Sequence, residues 1–294
     1  MNGNRIFGMD DSDQDQNYLV VNDDGSINTK QASGEIADVK VLQDDGLSIA
    51  AGEVTGQSNV NKFGNAPDFD TGDGEVTVTD LADDSVSWQQ MVYQFSTTAD
   101  IDRLSSSSAS DTVDIEVQGL DTDYNLVVQT ITLTGQTPVA LTTSLVRVFR
   151  MKNVGSSDLV GDCFCFVNDT TTGGVPDTST NIRGAIRNGN NQTEMAVYTV
   201  PAGKTAYIHE LYADTAGGSR TTNYIIKLKI RPFGQVFQLK HRRAINDEKD
   251  MDKHWEVPEK ASEKSDIIVT AETAAGAITG SSVSAGFDFI LKDN

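Results

Sequence analysis

Short runs in which every second residue is apolar or β-branched recur along most of this chain. In residues 112–135, Val113, Ile115 and Val117 alternate with acidic residues, and a second β-branched run follows a Gly-Leu-Asp-Thr-Asp loop. A period of two places successive side chains on opposite faces of an extended strand. This stretch therefore predicts a β-hairpin.

Similar patterns continue to the end of the sequence. They occupy residues 144–154, 161–167, 195–212 and 224–242, and two further stretches, SDIIVTAET and SSVSAGFDFILKDN. No long stripe of period 3.6 indicates a helix. Strands separated by about 8–14 residues, with turns between them, are typical of sandwiches and jelly rolls. We therefore predict an all-β chain of antiparallel β-sandwich or jelly-roll-like domains.

Acidic residues are concentrated in the first half of the 294-residue chain. Residues 1–150 carry 25 acidic and 7 basic side chains, a net charge of −18 of the total −20. Residues 1–85 consist of acidic turn clusters separated by short apolar runs, and such a segment buries little by itself. We predict an extended acidic arm over residues 1–85, a β-sandwich domain over 86–170 and a jelly-roll-like domain over 171–294.

Gly203-Lys204-Thr205 matches the end of a phosphate-binding P-loop. The full motif needs a glycine at position 198, where Tyr198 stands, and a helix after the threonine. Residues 205–212 are instead rich in β-branched and aromatic side chains. We predict a hairpin in which residues 195–200 and 205–212 are strands and 201–204 form the turn.

No catalytic, metal or cofactor site is predicted. Asp11, Asp13 and Asp15 resemble the start of an EF-hand loop that lacks its glycine and its final glutamate, and Asp68, Asp70, Asp73 and Glu75 form a second acidic cluster. A calcium site at these clusters stays open, but solvated turn carboxylates are the favoured interpretation. No Gly-x-Ser-x-Gly nucleophile motif is present, and His209, His241 and His254 are scattered.

Cys163 and Cys165 are two residues apart in a predicted strand, so their side chains share a face. Their Cα atoms would be about 7 Å apart, which is unfavourable for a disulfide. We expect two small buried side chains in a reduced compartment.

The hairpin over residues 224–242 predicts one apolar and one basic face. Tyr224, Ile226, Leu228 and Ile230 share the first face in its first strand, and Ile225, Lys227, Lys229 and Arg231 share the other. In its second strand, Phe237, Leu239 and His241 alternate with Lys240 and Arg242. The acidic charge of the chain favours a basic partner over nucleic acid, and a basic face can dock against carboxylates, including the acidic arm of a neighbouring copy. An ordinary solvated face is the alternative. The candidate assembly contact consists of Lys227, Lys229, Arg231, Lys240 and Arg242.

Five stretches of the sequence resemble, in order, a family of tailed-bacteriophage and prophage virion structural proteins. The resemblance covers roughly residues 60–294 and is carried by KFGNAPDFDTGDGEVTV, VQGLDTDYNLVVQTITLTGQTPVALTTSLVRVFRMKNVGS, YTVPAGKTAYI, IRPFGQVFQLKHR and VSAGFDFILKDN. It implies a structural component of the virion and carries over no catalytic residues.

The combined expectation is a non-enzymatic virion protein that decorates or cements the capsid exterior. The alternative is a tail, baseplate or fibre-associated protein that contacts the host surface. Expected partners are the major capsid protein or tail proteins and further copies of the chain in a homo-oligomer, for which a trimer is favoured, with no nucleic acid or membrane. The sequence has no run of 18 apolar residues and no signal-peptide pattern at its start, so we expect synthesis in the bacterial host cytoplasm. The missing signal disfavours a third alternative, a secreted carbohydrate-binding or calcium-dependent sandwich.

Overall fold

The computed structural model describes residues 6–7, 18–21, 27–30, 36–37, 45–69, 73–81, 92–216, 223–246, 250–275 and 281–294. The chain divides into two compact units, Met1–Thr55 and Gly56–Asn294. In the first unit, β1 (Ile6–Phe7), β2 (Tyr18–Val21), β3 (Ile27–Lys30) and β4 (Ile36–Ala37) form an antiparallel sheet in that order, followed by α1 (Asp45–Ala50).

The second unit is built from antiparallel strands. In chain order they are β5 (Gln57–Phe69), β6 (Val76–Thr77), β7 (Ile101–Ser106), β8 (Asp114–Leu120), β9 (Leu126–Thr132), β10 (Val139–Leu145), β11 (Arg147–Asn153), β12 (Cys163–Val167), β13 (Thr171–Thr172), β14 (Val175–Pro176), β15 (Ile182–Ile186), β16 (Val197–Thr199), β17 (Lys204–Ala216), β18 (Asn223–Arg231), β19 (Gln238–Asn246), β20 (Asp250–Ala261), β21 (Asp266–Ala275) and β22 (Ser281–Asp293). Among the described residues of both units, α1 is the one α-helix, so the prediction of an all-β antiparallel fold is confirmed.

Eight of these strands form a jelly roll. One sheet has the order β20-β17-β22-β5 and the other the order β16-β21-β18-β19, with β6 also paired to β21. Numbered one to eight along the chain, the strands follow the orders 6-3-8-1 and 2-7-4-5, the arrangement of a double-Greek-key jelly roll. The core between the sheets includes Tyr224, Ile226, Phe287 and Phe289, all fully buried. Burying each such side chain contributes about 1.5–3 kcal/mol.

A second β-sandwich is inserted between β6 and β16. Its sheets have the orders β10-β7-β12-β15 and β11-β8-β9, and their inner faces enclose a separate apolar core. Phe149 of β11 leaves that core and packs against Tyr198, with ring centroids 4.6 Å apart, and Tyr198 in turn contacts Phe289 at 4.7 Å. The inserted sandwich therefore shares an aromatic contact with the jelly roll core.

The domain boundaries predicted at residues 85 and 170 differ from those of the structure. β5 and β6 lie inside the predicted arm but belong to the jelly roll, and β15 lies beyond residue 170 but pairs with β12 of the inserted sandwich. The core-facing residues of β5 include Lys62, Gly64 and Ala66, all buried. Because these are not large aliphatic side chains, the sequence of β5 lacks the alternation that marks the other strands.

The stretch around Gly203 forms two strands and a turn, but the predicted hairpin is wrong. β16 pairs with β21 in one jelly-roll sheet, whereas β17 pairs with β20 and β22 in the other. The turn between them carries the chain from sheet to sheet, and Gly203 adopts a φ of 72°. Since a strand and not a helix follows Lys204, the segment lacks P-loop geometry.

Candidate functional site

The predicted basic face of β18 is present, and its side chains already have acidic partners. The ammonium nitrogen of Lys227 lies 2.8 Å from Glu272 and 3.5 Å from Glu75, and Lys229 forms an ion pair with Glu75. Burial opposes ionisation of Glu75, but hydrogen bonds from Lys229 and Thr270 outweigh it and lower the pKa of this carboxyl. Glu75 was predicted to be a solvated turn carboxylate, and the structure corrects this, because it is an ion-pair partner for β18.

Arg231, at the end of β18, belongs to a buried network centred on Asp266. Its Nε and Nη2 atoms donate to Asp266 Oδ2 at 2.9 and 2.6 Å. Arg147 approaches the same carboxylate from the inserted sandwich, with Nε 2.8 Å from Oδ1, and Thr199 donates to Oδ1 at 2.6 Å. A carboxylate with this many charge-assisted hydrogen bonds holds its partners in fixed positions.

The second strand of the hairpin departs from the predicted alternation. The pairing of β18 with β19 shifts between Leu228 and Lys229, which are opposite His241 and Leu239, so Lys240 is an extra residue. A bulge of this kind moves the residues beyond it to the other face. Leu239 consequently lies beside Lys229 on the basic face. The alternation had instead predicted Leu239 on the apolar face of the hairpin.

Four of the five predicted contact residues therefore have acidic partners within the chain. Besides the three on β18, Lys240 forms an ion pair with Glu259 of β20 at 3.1 Å. Arg242 is exposed, and the described part of the chain provides no ion pair for it. The exposed basic side chains that remain are consequently on β19, where Arg242 lies opposite Lys227 and Arg243 lies opposite Ile226, on the other face of the strand.

The outer strands β19 and β20 lie at the ends of the two jelly-roll sheets and meet along one side of the fold. His241 contacts the Trp255 ring edge-on, with centroids 5.7 Å apart, next to the Lys240–Glu259 pair. Burial and the nearby cations Lys253 and Arg243 lower the pKa of His241, which favours its neutral form. Large apolar side chains are nonetheless exposed here, with Leu239 at 53% and Val257 at 81%.

A cluster of possible metal ligands lies on β17 and β20. His254 Nε2 is 3.1 Å from Asp252 and 3.6 Å from Glu210, close enough for one cation to bridge the three. Asp252 and His254 are exposed, and the contact with Asp252 already serves as a partner for the imidazole. The arrangement is equally that of exposed polar side chains that contact one another at the surface.

A cavity of about 370 Å³ separates β5 from the inserted sandwich. Its lining includes Lys62, Arg150, Gln118 and Gln192. Lys62 is 3% exposed and donates to the carbonyl of Phe149, the bulged residue of β11. Burial, reinforced by the charge of Arg150, places the pKa of Lys62 well below its usual value. Lys62 thus donates a hydrogen bond to the carbonyl of a residue that the β11 bulge leaves without a partner in the β8–β11 register.

Cys163 and Cys165 are free thiols that face the core of the inserted sandwich, as predicted. Burial raises the pKa of both thiols, which suppresses the reactive thiolate.

His209 is half-buried. Asp11, Asp13, Asp15 and Asp70, and the side chain of Asp68, lie outside the described residues, so the calcium alternative stays open there. No helix of the described residues is long and apolar enough to cross a membrane.

Comparison with known proteins gives distant structural likenesses only. No family model matches the chain, and no curated protein matches it. The solved structure of infectious bursal disease virus, Gx strain, aligns with 81% of this chain and 72% of that chain, at 9% identity and a TM-score of 0.23. The Gt strain structure covers the same shares at 11% identity and a TM-score of 0.19. Likenesses this remote do not indicate what the chain does.

Proposed function

We propose that this protein is a non-enzymatic structural component of a bacteriophage virion that decorates or cements the capsid exterior. The resemblance of five sequence stretches to phage virion proteins supports this role. The jelly roll agrees with it, because viral capsid proteins commonly use this architecture, although lectin domains use it as well. A fold by itself does not define a function, so the proposal depends on a surface suited to assembly.

The observation that carries the proposal is the open side of the jelly roll formed by β19 and β20. Both strands end their sheets, and exposed Leu239 and Val257 lie on them. Soluble proteins usually protect such edges, because unpaired backbone groups and apolar side chains invite association. Arg242 and Arg243 add positive charge to β19. The surface therefore suits an acidic neighbour, either the major capsid protein or another copy of this chain.

The copy number of the protein in purified particles tests the proposed location. Quantitative gel densitometry against the major capsid protein should give hundreds of copies per particle if the protein decorates the head. A handful to dozens of copies would instead indicate the tail, baseplate or fibre, and absence from particles would refute a virion role. Cryo-electron microscopy of the same particles would locate the chain and show its symmetry.

A pair of variants tests the surface itself. Leu239→Glu and Val257→Glu place carboxylates on the open side and should reduce incorporation into particles without unfolding the exposed strands. Val128→Glu is the matched control, because Val128 is also an exposed strand valine, at 55%, but lies in the inserted sandwich. Equal incorporation of all three variants and the wild type would show that β19 and β20 are not the contact.

A further inference from the structure

A second cavity, of about 240 Å³, lies where the β18–β19 turn meets the inserted sandwich. Five chain segments surround it: residues 95–97, the β8–β9 loop, the start of β11, the β18–β19 turn with the end of β18, and the β20–β21 turn with the start of β21. The residues that matter for its chemistry are Tyr124, Arg147, Arg231, Phe233, Lys264 and Asp266.

The cavity has an excess of positive charge in a protein of net charge −20. Arg147, Arg231 and Lys264 line it, and Asp266 is its one acidic residue. The carboxylate of Asp266 is already occupied by both guanidinium groups and by Thr199. A site with this balance favours an anionic ligand.

Two donors remain for such a ligand. The ammonium group of Lys264 has no carboxylate or hydrogen-bond acceptor within the described part of the chain, and it lies over the Tyr124 and Phe233 rings, each 5.5 Å from its nitrogen. Arg231 commits Nε and Nη2 to Asp266, and its Nη1 has no acceptor in the same part of the chain. Both side chains are held in place, one by rings and the other by a buried carboxylate, so the donors are preorganised.

Backbone strain is concentrated at the same cavity. Tyr124 and Lys264 have φ values of 69° and 60°, and the one other described non-glycine residue with positive φ is Asn191. Asparagine tolerates this conformation, whereas other side chains cost about 1–2 kcal/mol there and glycine is the usual choice. Strained residues that carry useful side chains occur most often at functional sites.

The cavity also offers an aromatic wall. The rings of Tyr124 and Phe233 meet edge to face with centroids 5.4 Å apart. Phe233 lies in the β18–β19 turn and is 60% exposed, although it is a large apolar side chain. Thr97 and Gln235 provide a hydroxyl and an amide next to the wall. This combination of a ring surface, neutral polar groups and cations matches a ligand that has a face, hydroxyls and one negative charge.

We propose that this cavity binds an acidic sugar residue of the uronic-acid type. The carboxylate would bind Lys264 and Arg231, the C–H face of the sugar ring would lie against Phe233, and Thr97 and Gln235 would bind hydroxyls. The volume is at the small end for ligand sites, which suits one ring. An aspartate or glutamate side chain of a protein partner would use the cations but leave the aromatic wall and the neutral polar groups unused.

Ligand titrations followed by NMR on the full chain test the proposal with defined probes. Glucuronate should bind, whereas glucose, which lacks the charge, and acetate, which lacks the ring, should bind at least about tenfold more weakly. Inorganic phosphate and a hexa-aspartate peptide serve as the alternative anions. Equal or tighter binding of either one would overturn the assignment to a sugar, and no saturable binding of glucuronate would overturn it as well.

Substitutions at the strained positions separate binding from folding. Lys264→Gly removes the free ammonium and relieves positive φ, so it should retain or raise the melting temperature and weaken glucuronate at least about tenfold. Phe233→Ala should weaken glucuronate more than acetate, because acetate uses only the cations. Lys253→Ala is the matched control, because Lys253 also contacts a ring, that of Trp255, away from the cavity. Unchanged glucuronate affinity in Lys264→Gly would refute the site, whereas the proposed virion role does not depend on it.

Discussion

Arg147 and Asp266 connect the inserted sandwich to the jelly roll through a buried ion pair, with Nε 2.8 Å from Oδ1 and side chains that are 6% and 5% exposed. Burying two charges costs much of their mutual attraction, so such a pair is stabilising only when other hydrogen bonds satisfy it. Here Thr199 and Arg231 donate further hydrogen bonds to the Asp266 carboxylate, and the carbonyls of Ser96 and Val146 accept hydrogen bonds from Arg147. The junction between the sandwiches is therefore fixed by polar contacts as well as by the Phe149–Tyr198 contact.

Removing the carboxylate at this junction should destabilise the protein strongly. Asp266→Ala leaves Arg147 buried without its counter-charge, and we expect the free energy of unfolding to fall by about 3–5 kcal/mol. Urea denaturation followed by fluorescence measures the change, and Asp123→Ala, on an exposed loop, should cost less than about 0.5 kcal/mol. A loss below about 1 kcal/mol for Asp266→Ala would show that the pair contributes little to the junction.

Gly64 of β5 lies close against the backbone of Val78 and Ala196. A methyl group on its Cα would lie 2.1 Å from the Val78 carbonyl oxygen and 2.5 Å from the Ala196 nitrogen, two backbone atoms that cannot rotate away. Gly64→Ala should therefore cost at least about 2 kcal/mol. Gly189→Ala is the comparison, since its φ is 81° but no atom lies near the added carbon, and about 1 kcal/mol is expected. Similar melting temperatures for the two variants would contradict the steric account.

Most strands were predictable from the sequence, because apolar and polar residues alternate along a strand that buries one face. From Ile226 to Ile230, β18 buries every second residue, and its basic face lies where the sequence predicted it. The bulge at Lys240 was not predictable, because it depends on pairing with β18 and not on the composition of β19. β5 was missed for a different reason. Its inward positions include Lys62, a buried lysine whose ammonium group donates a hydrogen bond to the carbonyl of the bulged Phe149.

The partners of the candidate site could not be deduced from the sequence. Glu75 lies more than 150 positions before Lys229, and Arg147 is 119 positions from Asp266. Nothing local indicates that such groups meet. One signal was present, since Arg147 alternates in the sequence with the apolar residues Leu145, Phe149 and Met151, a pattern that places it on an apolar face. The cavity beside Lys264 depends on five separated segments and on positive φ values, neither of which a residue pattern reveals.

Asp80 should make the stability of the protein decrease as pH rises through the acid range. Burial, opposed by Arg187 and reinforced by Glu194, raises the pKa of Asp80 to about 6. A carboxyl whose folded pKa exceeds its unfolded value stabilises the fold fully below the unfolded pKa, near 3.9, and this contribution is lost as pH rises through about 6.

The amide variant Asp80→Asn tests this because it cannot ionise. Its free energy of unfolding should equal that of the wild type at about pH 4 and should be about 1–3 kcal/mol larger at about pH 8. Chemical denaturation of both proteins across this range measures the difference, and Asp123→Asn controls for the loss of one charge. An Asp80→Asn variant that is less stable than wild type at about pH 8 would mean that the contact with Arg187 outweighs burial.

Gly203 and Lys204, which share a turn, should respond very differently to substitution. Lys204 pairs with Asp293 at the surface, so Lys204→Ala should cost less than about 0.5–1 kcal/mol. Gly203 has open space around its Cα but a φ of 72°, so only backbone strain opposes a side chain there. Asparagine adopts this conformation more readily than alanine, and a β-branched residue least readily. Gly203→Asn, Gly203→Ala and Gly203→Val should therefore lose increasing stability, reaching roughly 1–3 kcal/mol for valine.

Thermal denaturation with and without ATP and magnesium completes the comparison at this turn. Because β17 begins at Lys204 and no helix presents its N-terminus there, nucleotide should leave the melting temperature of the wild type and of all four variants unchanged. A ligand that binds only the folded state would raise the melting temperature by mass action. An ATP-dependent increase in the wild type that Lys204→Ala abolishes would show that Gly203-Lys204-Thr205 binds phosphate after all. Equal stabilities of the three Gly203 variants would show instead that the turn relaxes to a negative φ. The crossing from β16 in one sheet to β17 in the other does not favour that relaxation.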